Sequence, residues 1–326
     1  MTQKTPAEET SDEPEDDDFS TGKAICAFGL IIVALLMFTL PLSKLILAVD
    51  MATHFAAHYM VAGGALLIGF FMPRWNVTVA TVLTIVGVFL IGYLAVNKSD
   101  VVEKPAIADT TRVKLMTFNT WMRNRNWQAL TKEIERSNPD IVTLMEFSRS
   151  KEPLLGALKA KYPYQLKCLD VSSCNLVILS KFPFTDSIVR VRWHGPPYVR
   201  VTFGKELNNL NLFAVHTIRP PYYRAQFRQI GALANAVNEH KELKIVMGDF
   251  NSTPFSRTLN TFAKRTKLKR LSDIPTWPAT FAGLPQVAID HIFVSPGIKV
   301  LAPSRLGNNA GSDHFPVNVV VAVPKG

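Results

Sequence analysis

Charge is missing from long stretches near the amino terminus. No Asp, Glu, Lys or Arg lies between Ala24 and Leu42, between Met51 and Pro73, or between Val77 and Val96. Each run is close to the roughly 20 residues that cross a bilayer core as a helix. Three such runs with short connections are hard to bury in a soluble domain, so residues 23–97 are expected to form a membrane module of three transmembrane helices. An acidic segment precedes the first run and two more runs follow it, which argues against a cleaved signal peptide. Residues 1–22 also lack aliphatic side chains almost entirely and set eight acids against the lone Lys4. Such a segment cannot bury a core, and it is expected to be a disordered acidic tail. No solenoid-type repeat is present, which excludes an architecture of stacked repeats.

Cysteine is scarce, at three in 326 residues. Cys26 lies in the first apolar run. Cys168 and Cys174 close a short segment between two expected strands, where they can reach disulfide geometry in an oxidising compartment or stay as two free thiols. Few basic residues flank the apolar runs. Lys23 and Arg74 on the cytoplasmic side, with Lys44 and Lys98 opposite, place the amino terminus inside and everything after residue 97 outside. The expected location is the inner (plasma) membrane, multi-pass, with the domain after residue 97 periplasmic or extracellular. His54 and His58, four apart on one helical face, are assigned no role.

Beyond residue 100 the material changes. Residues 1–100 hold five basic and ten acidic side chains, and the other 31 basic and 16 acidic ones follow, for a net charge of +15. That charge favours anionic partners: nucleic acid, phospholipid head groups or small phosphate esters. Nothing points to a protein partner. After a linker over 98–111, strand-like segments alternate with helix-like ones through a domain over 112–326. Strands are expected at Val113–Phe118, Ile141–Met145, Cys174–Ser180, Val189–Trp193, Tyr198–Phe203, Leu210–Val215, Lys244–Met247, Ile289–Val294 and Val317–Val323. Helices are expected at Trp127–Ser137, Pro153–Lys161, Tyr222–His240 and Leu259–Thr266.

A polar residue recurs at the exit of these strands. Asn119, Glu146, His216, Asp249 with Asn251, and Asp290 fit the pattern, and Ser312-Asp313-His314 stands just before the closing strand. Strand ends on one edge of stacked sheets converge, so these groups can line one pocket. Each alone reads as a cap or a turn residue. Together they supply what metal-assisted phosphate chemistry needs: carboxylate ligands, an amide donor, and two histidines, one with an acid beside it.

Six segments carry a resemblance: Leu115-Met116-Thr117-Phe118-Asn119, Asp140 to Glu146, Val215-His216-Thr217, Met247-Gly248-Asp249-Phe250-Asn251, Ile289-Asp290-His291 to Ser295, and Gly311-Ser312-Asp313-His314 to Val317. In this order they resemble the endonuclease/exonuclease/phosphatase family, the group of deoxyribonuclease I, abasic-site endonucleases, neutral sphingomyelinases and inositol-polyphosphate 5-phosphatases. The resemblance implies an α+β fold, a four-layer α/β/β/α sandwich of two packed mixed sheets. It implies Glu146 as the principal Mg²⁺ ligand with Asn119 beside it and Asp313 in support, Mn²⁺ being the alternative ion. It implies Asp249 orienting or deprotonating the attacking water, and Asn251 holding a phosphate oxygen. His314 paired with Asp290 is base or donor, and His216 is the second histidine. Arg219 is added as a substrate contact on its position alone.

The reading is a membrane-anchored, Mg²⁺-dependent phosphoesterase. A nuclease comes first because the domain is basic. The alternative is a phospholipid or phosphoinositide phosphoesterase, sphingomyelinase-like, beside anionic head groups. A third reading is a non-catalytic binding protein that keeps the fold, against which stand Glu146, Asp249, Asn251, Asp313 and His314.

Overall fold

The computed structural model describes residues 17–72, 76–97, 104, 107–169, 174–191 and 193–326. Residues 1–16 of the expected tail, the flanking charges Arg74 and Lys98, and most of the linker lie outside them. The chain divides into two compact units, one up to Met37 with Ala57–Gly87, the other Phe38–Ala56 with Val88–Gly326.

The apolar region holds α1 (Asp17–Leu42), α2 (Asp50–Thr53), α3 (Ala56–Phe71) and α4 (Asn76–Val96). Residues 17–22, expected in the disordered tail, are therefore helical. Among the described residues two helices, Thr21–Leu42 and Asn76–Val96, are long and apolar enough to cross a membrane, rather than the expected three. The second expected span is broken: Leu47–Thr53 and Ala56–Phe71 meet at 61° and make a third crossing only if the bent pair counts as one. The 16 residues of α3 rise only about 24 Å, short of the ~30 Å hydrocarbon core. Polar contacts explain the break. The buried Asp50 carboxylate accepts from the backbone N–H of Arg257 at 2.5 Å and of Thr258 at 3.1 Å, and from Thr258 Oγ1 at 2.7 Å.

The remaining chain builds twelve strands among the described residues: β1 (Thr110–Asn119), β2 (Ile141–Met145), β3 (Tyr164–Cys168), β4 (Leu176–Ser180), β5 (Phe184–Arg190), β6 (Tyr198–Phe203), β7 (Asn211–His216), β8 (Lys244–Asp249), β9 (Lys269–Arg270), β10 (Asp290–Val294), β11 (Lys299–Leu306) and β12 (Val317–Pro324). They form two six-stranded mixed sheets, in the orders β11-β12-β1-β2-β4-β3 and β5-β6-β7-β8-β10-β9. The expected strand at Val189–Trp193 is instead β5, ending at Arg190. Cys168 and Cys174 are joined as a disulfide.

Alternation along each central strand builds the layers. Val113 and Leu115 of β1 and Ile245 and Met247 of β8 enter one apolar cluster between the sheets. Met116 and Phe118 turn the other way, toward Leu130 and Ile134 of α5 (Trp127–Ser137) and Leu154 of α6 (Pro153–Ala157). Val246 likewise meets Ile230 and Leu233 of α7 (Tyr223–Asn238) and Phe262 of α8 (Arg257–Thr266). Strands buried on both faces explain the continuous apolar runs in the sequence.

Candidate active site

The site is a consequence of strand direction. β1 runs parallel to β2, and β7 to β8 with His216 opposite Asp249. Their carboxyl ends deliver Asn119, Glu146, His216 and Asp249 to one edge. β10 is antiparallel to β8, with Asp290 in register with Asp249. Asp290, expected at a strand exit, therefore opens its strand, and reversed direction brings it to the same edge. β12 is antiparallel to β1, which puts Asp313 and His314 there too.

Two positions show how tightly the chain is fitted. Gly248 has φ 153°, and a Cβ there would overlap the carbonyl oxygen of Val215 on the neighbouring strand. Glu146 and Asn251 leave their strands with φ 51° and 46°, a left-handed conformation that asparagine tolerates and glutamate rarely adopts.

His314 Nδ1 donates to Asp290 Oδ2 at 2.8 Å, and Thr276 Oγ1 donates to the same oxygen at 2.6 Å. The pair fixes the ring so that Nε2 faces Asp249 Oδ2 at 4.0 Å. His216 Nε2 lies 3.7 Å from Asp249 Oδ2 and 3.8 Å from Glu146 Oε1. The two histidines therefore converge on one carboxylate from opposite sheets. Asn119 Nδ2 donates to Asp249 Oδ2 at 3.0 Å and to Glu146 Oε1 at 3.3 Å, while its Oδ1 accepts from the Trp121 N–H. Asn119, expected as a metal ligand, thus turns its donor and not its acceptor toward the carboxylates. Asn251 places its N–H on Asp249 Oδ1 at 2.7 Å and its Nδ2 on the Thr217 carbonyl at 3.0 Å. Arg219 is exposed and bonds to none of these groups among the described residues.

Burial and neighbouring charges separate the protonation behaviour of these groups. Desolvation, with Asp290 close by, raises Asp249 to about 6 against the pull of His314 and His216. Burial opposes charge on His314, but Asp290 outweighs it and, with Asp249 and Asp313, raises the imidazole to about 9. For Glu146 burial is outweighed by the Met122 N–H, His216 and Asn119, and its carboxyl sits below the usual value. Desolvation raises Asp313, and the Glu146 charge adds to that rise.

Two features fit a cation. Asp313 Oδ1 and Asp290 Oδ1 are buried without a hydrogen-bond partner, and Glu146 and Asp313 repel across a space that a divalent ion would neutralise. Ligand atoms of Asp249, Asp290 and His314 also lie within 4.8 Å of one another, although the short Asp290–His314 bond occupies one member of that set.

Several contributors had no readable signal. Lys151 is fully buried and donates to Thr120 Oγ1, Trp121 O and Glu146 O at 2.7–3.0 Å. Desolvation lowers its ammonium to about 7 despite Glu146 and Asp313. Thr276 and Gln226, the latter donating to the Phe250 and Asn251 carbonyls, act as supports. None follows a strand or belongs to a motif. His54 also gains a place: its Nδ1 accepts from the Thr253 N–H at 3.2 Å, two residues past Asn251.

Residues 116–314 match the model of the Endonuclease/Exonuclease/phosphatase family. No curated protein matches the chain. Similar solved structures include a beta toxin from Staphylococcus aureus with bound magnesium ions, at 16% identity over 64% of this chain and 99% of that one, TM-score 0.52. Humanized D. rerio TDP2 is similar at 14% identity over 64% and 98%, TM-score 0.54. A family protein from Bacteroides thetaiotaomicron is similar at 15% over 65% and 98%, TM-score 0.53. At these identities the likeness is one of fold. The family match spans more than half of the chain and takes in the strand ends from Asn119 to His314, and the chain therefore belongs to the Endonuclease/Exonuclease/phosphatase family.

Proposed function

We propose that the protein is a membrane-anchored, divalent-metal-dependent phosphoesterase. The observation that supports this most is the buried Asp290–His314 pair, whose free ring nitrogen faces Asp249 at an edge shared with Glu146 and Asn251. Hydrolysis forms a bond from a water oxygen to phosphorus and breaks the ester P–O bond. The water's proton is taken by Asp249 Oδ2, which the charged His314 ring faces through Nε2, and the departing alkoxide receives a proton from His216. Asn251 spends one N–H on Thr217 and turns its other toward a phosphoryl oxygen, where a fixed donor stabilises growing charge. Arg219 extends that contact along the substrate.

Glu146 and Asp313, with Asn119 beside them, are the residues to hold Mg²⁺, which when bound neutralises phosphoryl charge and acidifies water. The magnesium bound in the beta toxin structure supports the choice of ion. The organisation proposed is an acidic tail, a membrane module ending near residue 97, a linker to residue 111 and a catalytic domain over 112–326. The Cys168–Cys174 disulfide supports an oxidising compartment, hence a periplasmic or extracellular catalytic domain. The net charge of +15 supports a nucleic-acid substrate as well as other anionic esters.

The test is turnover of bis(p-nitrophenyl) phosphate by the detergent-solubilised full-length protein with Mg²⁺. His314→Ala is expected to lower it by on the order of 10²-fold or more. Equal rates in parent and variant would overturn the proposal.

A further inference from the structure

The loop between Thr276 and Asp290, beside the site, is uncharged: from Ile274 through Ile289 there is no Asp, Glu, Lys or Arg. One end of this loop is part of the site. Thr276 holds Asp290, and the Ala279 N–H donates to the Asp313 carbonyl at 2.7 Å. The other end lies on α4. The Phe281 ring is 5.6 Å from that of Phe89, and a Cβ on Gly92 would overlap the backbone of Leu284.

The position of these contacts along α4 sets their depth. Twenty-one helical residues rise about 31 Å, one hydrocarbon thickness. With α4 across the bilayer, Gly92 and Phe89 lie about 6 and 10 Å inside the end at Val96. Phe281 and Leu284 are therefore at the depth of an interfacial apolar segment, typically about 5–10 Å. Phe281 and Trp277 stay 40% and 37% exposed, a state that suits lipid better than water.

Two further observations agree. Ala95 and Val96, at the end of α4, form a wall of a cavity of about 670 Å³ whose other walls include Arg112, Lys114, Arg136 and Arg305. Basic side chains at the exit of a span suit anionic head groups. Asp50 and His54, at the break in the apolar region, bind Thr253, Arg257 and Thr258, in the segment that follows Asn251. Two segments next to the site, 277–286 and 253–258, are thus tied to the apolar region.

We infer that the substrate is a phosphate ester carried by a membrane lipid, whose head group reaches the site from the bilayer surface along the loop Trp277–Gln286. This rests on the phosphoesterase reading. A soluble nucleic acid needs no apolar, inserted rim.

The experiment uses the full-length protein reconstituted in vesicles of phosphatidylethanolamine, phosphatidylglycerol and sphingomyelin with Mg²⁺, comparing lipid turnover with that of bis(p-nitrophenyl) phosphate. Phe281→Asp is expected to lower lipid turnover at least tenfold while soluble turnover stays within twofold. Phe281→Trp is expected to add fluorescence that doxyl-labelled lipid quenches, a readout independent of catalysis. Soluble turnover without lipid turnover, or lipid turnover indifferent to Phe281→Asp, overturns the lipid inference and leaves the phosphoesterase reading standing. Preference for DNA or RNA over vesicles does the same. Loss of turnover on every ester overturns both. An added tryptophan that doxyl lipid does not quench overturns the inserted loop.

Discussion

Replacing Asp290 by Asn keeps the shape of the side chain and removes the charge that holds His314. In the parent, Oδ2 receives two donors, His314 Nδ1–H at 2.8 Å and Thr276 Oγ1–H at 2.6 Å, in a fully buried setting. An amide either keeps its oxygen there and leaves an unpaired NH₂ in the place of Oδ1, or faces Nδ1 with its NH₂ and forces the wrong tautomer. The imidazole at about 9 stands some 2.5 units above its ordinary value, on the order of 3 kcal/mol in favour of the charged ring. Without the carboxylate that preference goes and burial dominates, so the ring is neutral at physiological pH. In pH profiles of bis(p-nitrophenyl) phosphate hydrolysis, the parent's His314-linked limb near pH 9 is expected to move down by at least two units in Asp290→Asn. Turnover at neutral pH is expected to fall roughly 10²- to 10⁴-fold with KM little changed. A fall of less than about tenfold with an unmoved limb would show that the pair does not set the chemistry.

Three other outcomes test the fold around the site. His291 is buried with Nε2 2.8 Å from the Ser252 carbonyl, and burial depresses it to about 4. The unfolded state binds the extra proton first, so the His291 contribution to stability is flat above about pH 6.5 and falls by on the order of 3 kcal/mol as pH drops from there to about 4. His291→Gln is expected to flatten that part of the Tm-versus-pH curve. Gly248→Ala has no room beside Val215 and is expected to cost on the order of 3 kcal/mol, a Tm fall of roughly 6–12 °C. Asp50→Ala removes the acceptor at the start of α8 and is expected to cost about 2 kcal/mol in thermal melts, whereas Asp50→Asn is expected to recover part of it.

Much of the catalytic domain was legible because its strands are buried on both faces. β2, β4, β8 and β12 read as apolar runs, and the polar residues that close β2 and β8, Glu146 and Asp249, meet at the site. β3, β5, β9 and β11 lie at or next to sheet edges, where exposed and buried residues mix, and their patterns are weak. Asp290 was found but its place in its strand was not, since sequence carries no sign of strand direction. The second apolar run reads as one straight span and is instead a pair of helices bent by 61°, because composition reports hydrophobicity and not the tertiary contact of Asp50 with Thr258. Lys151 and Thr276 were invisible for the same reason: a lysine reads as surface until the fold buries it.

The most direct measurement is hydrolysis by the full-length protein across a cycle of metal removal and return, alongside Glu146→Gln. Expected is loss of turnover in EDTA, recovery on adding Mg²⁺, and a weakened Mg²⁺ dependence in the variant. Turnover that persists undiminished in EDTA, or a variant with the parent's Mg²⁺ response, would contradict a metal-assisted phosphoesterase built on these strand ends.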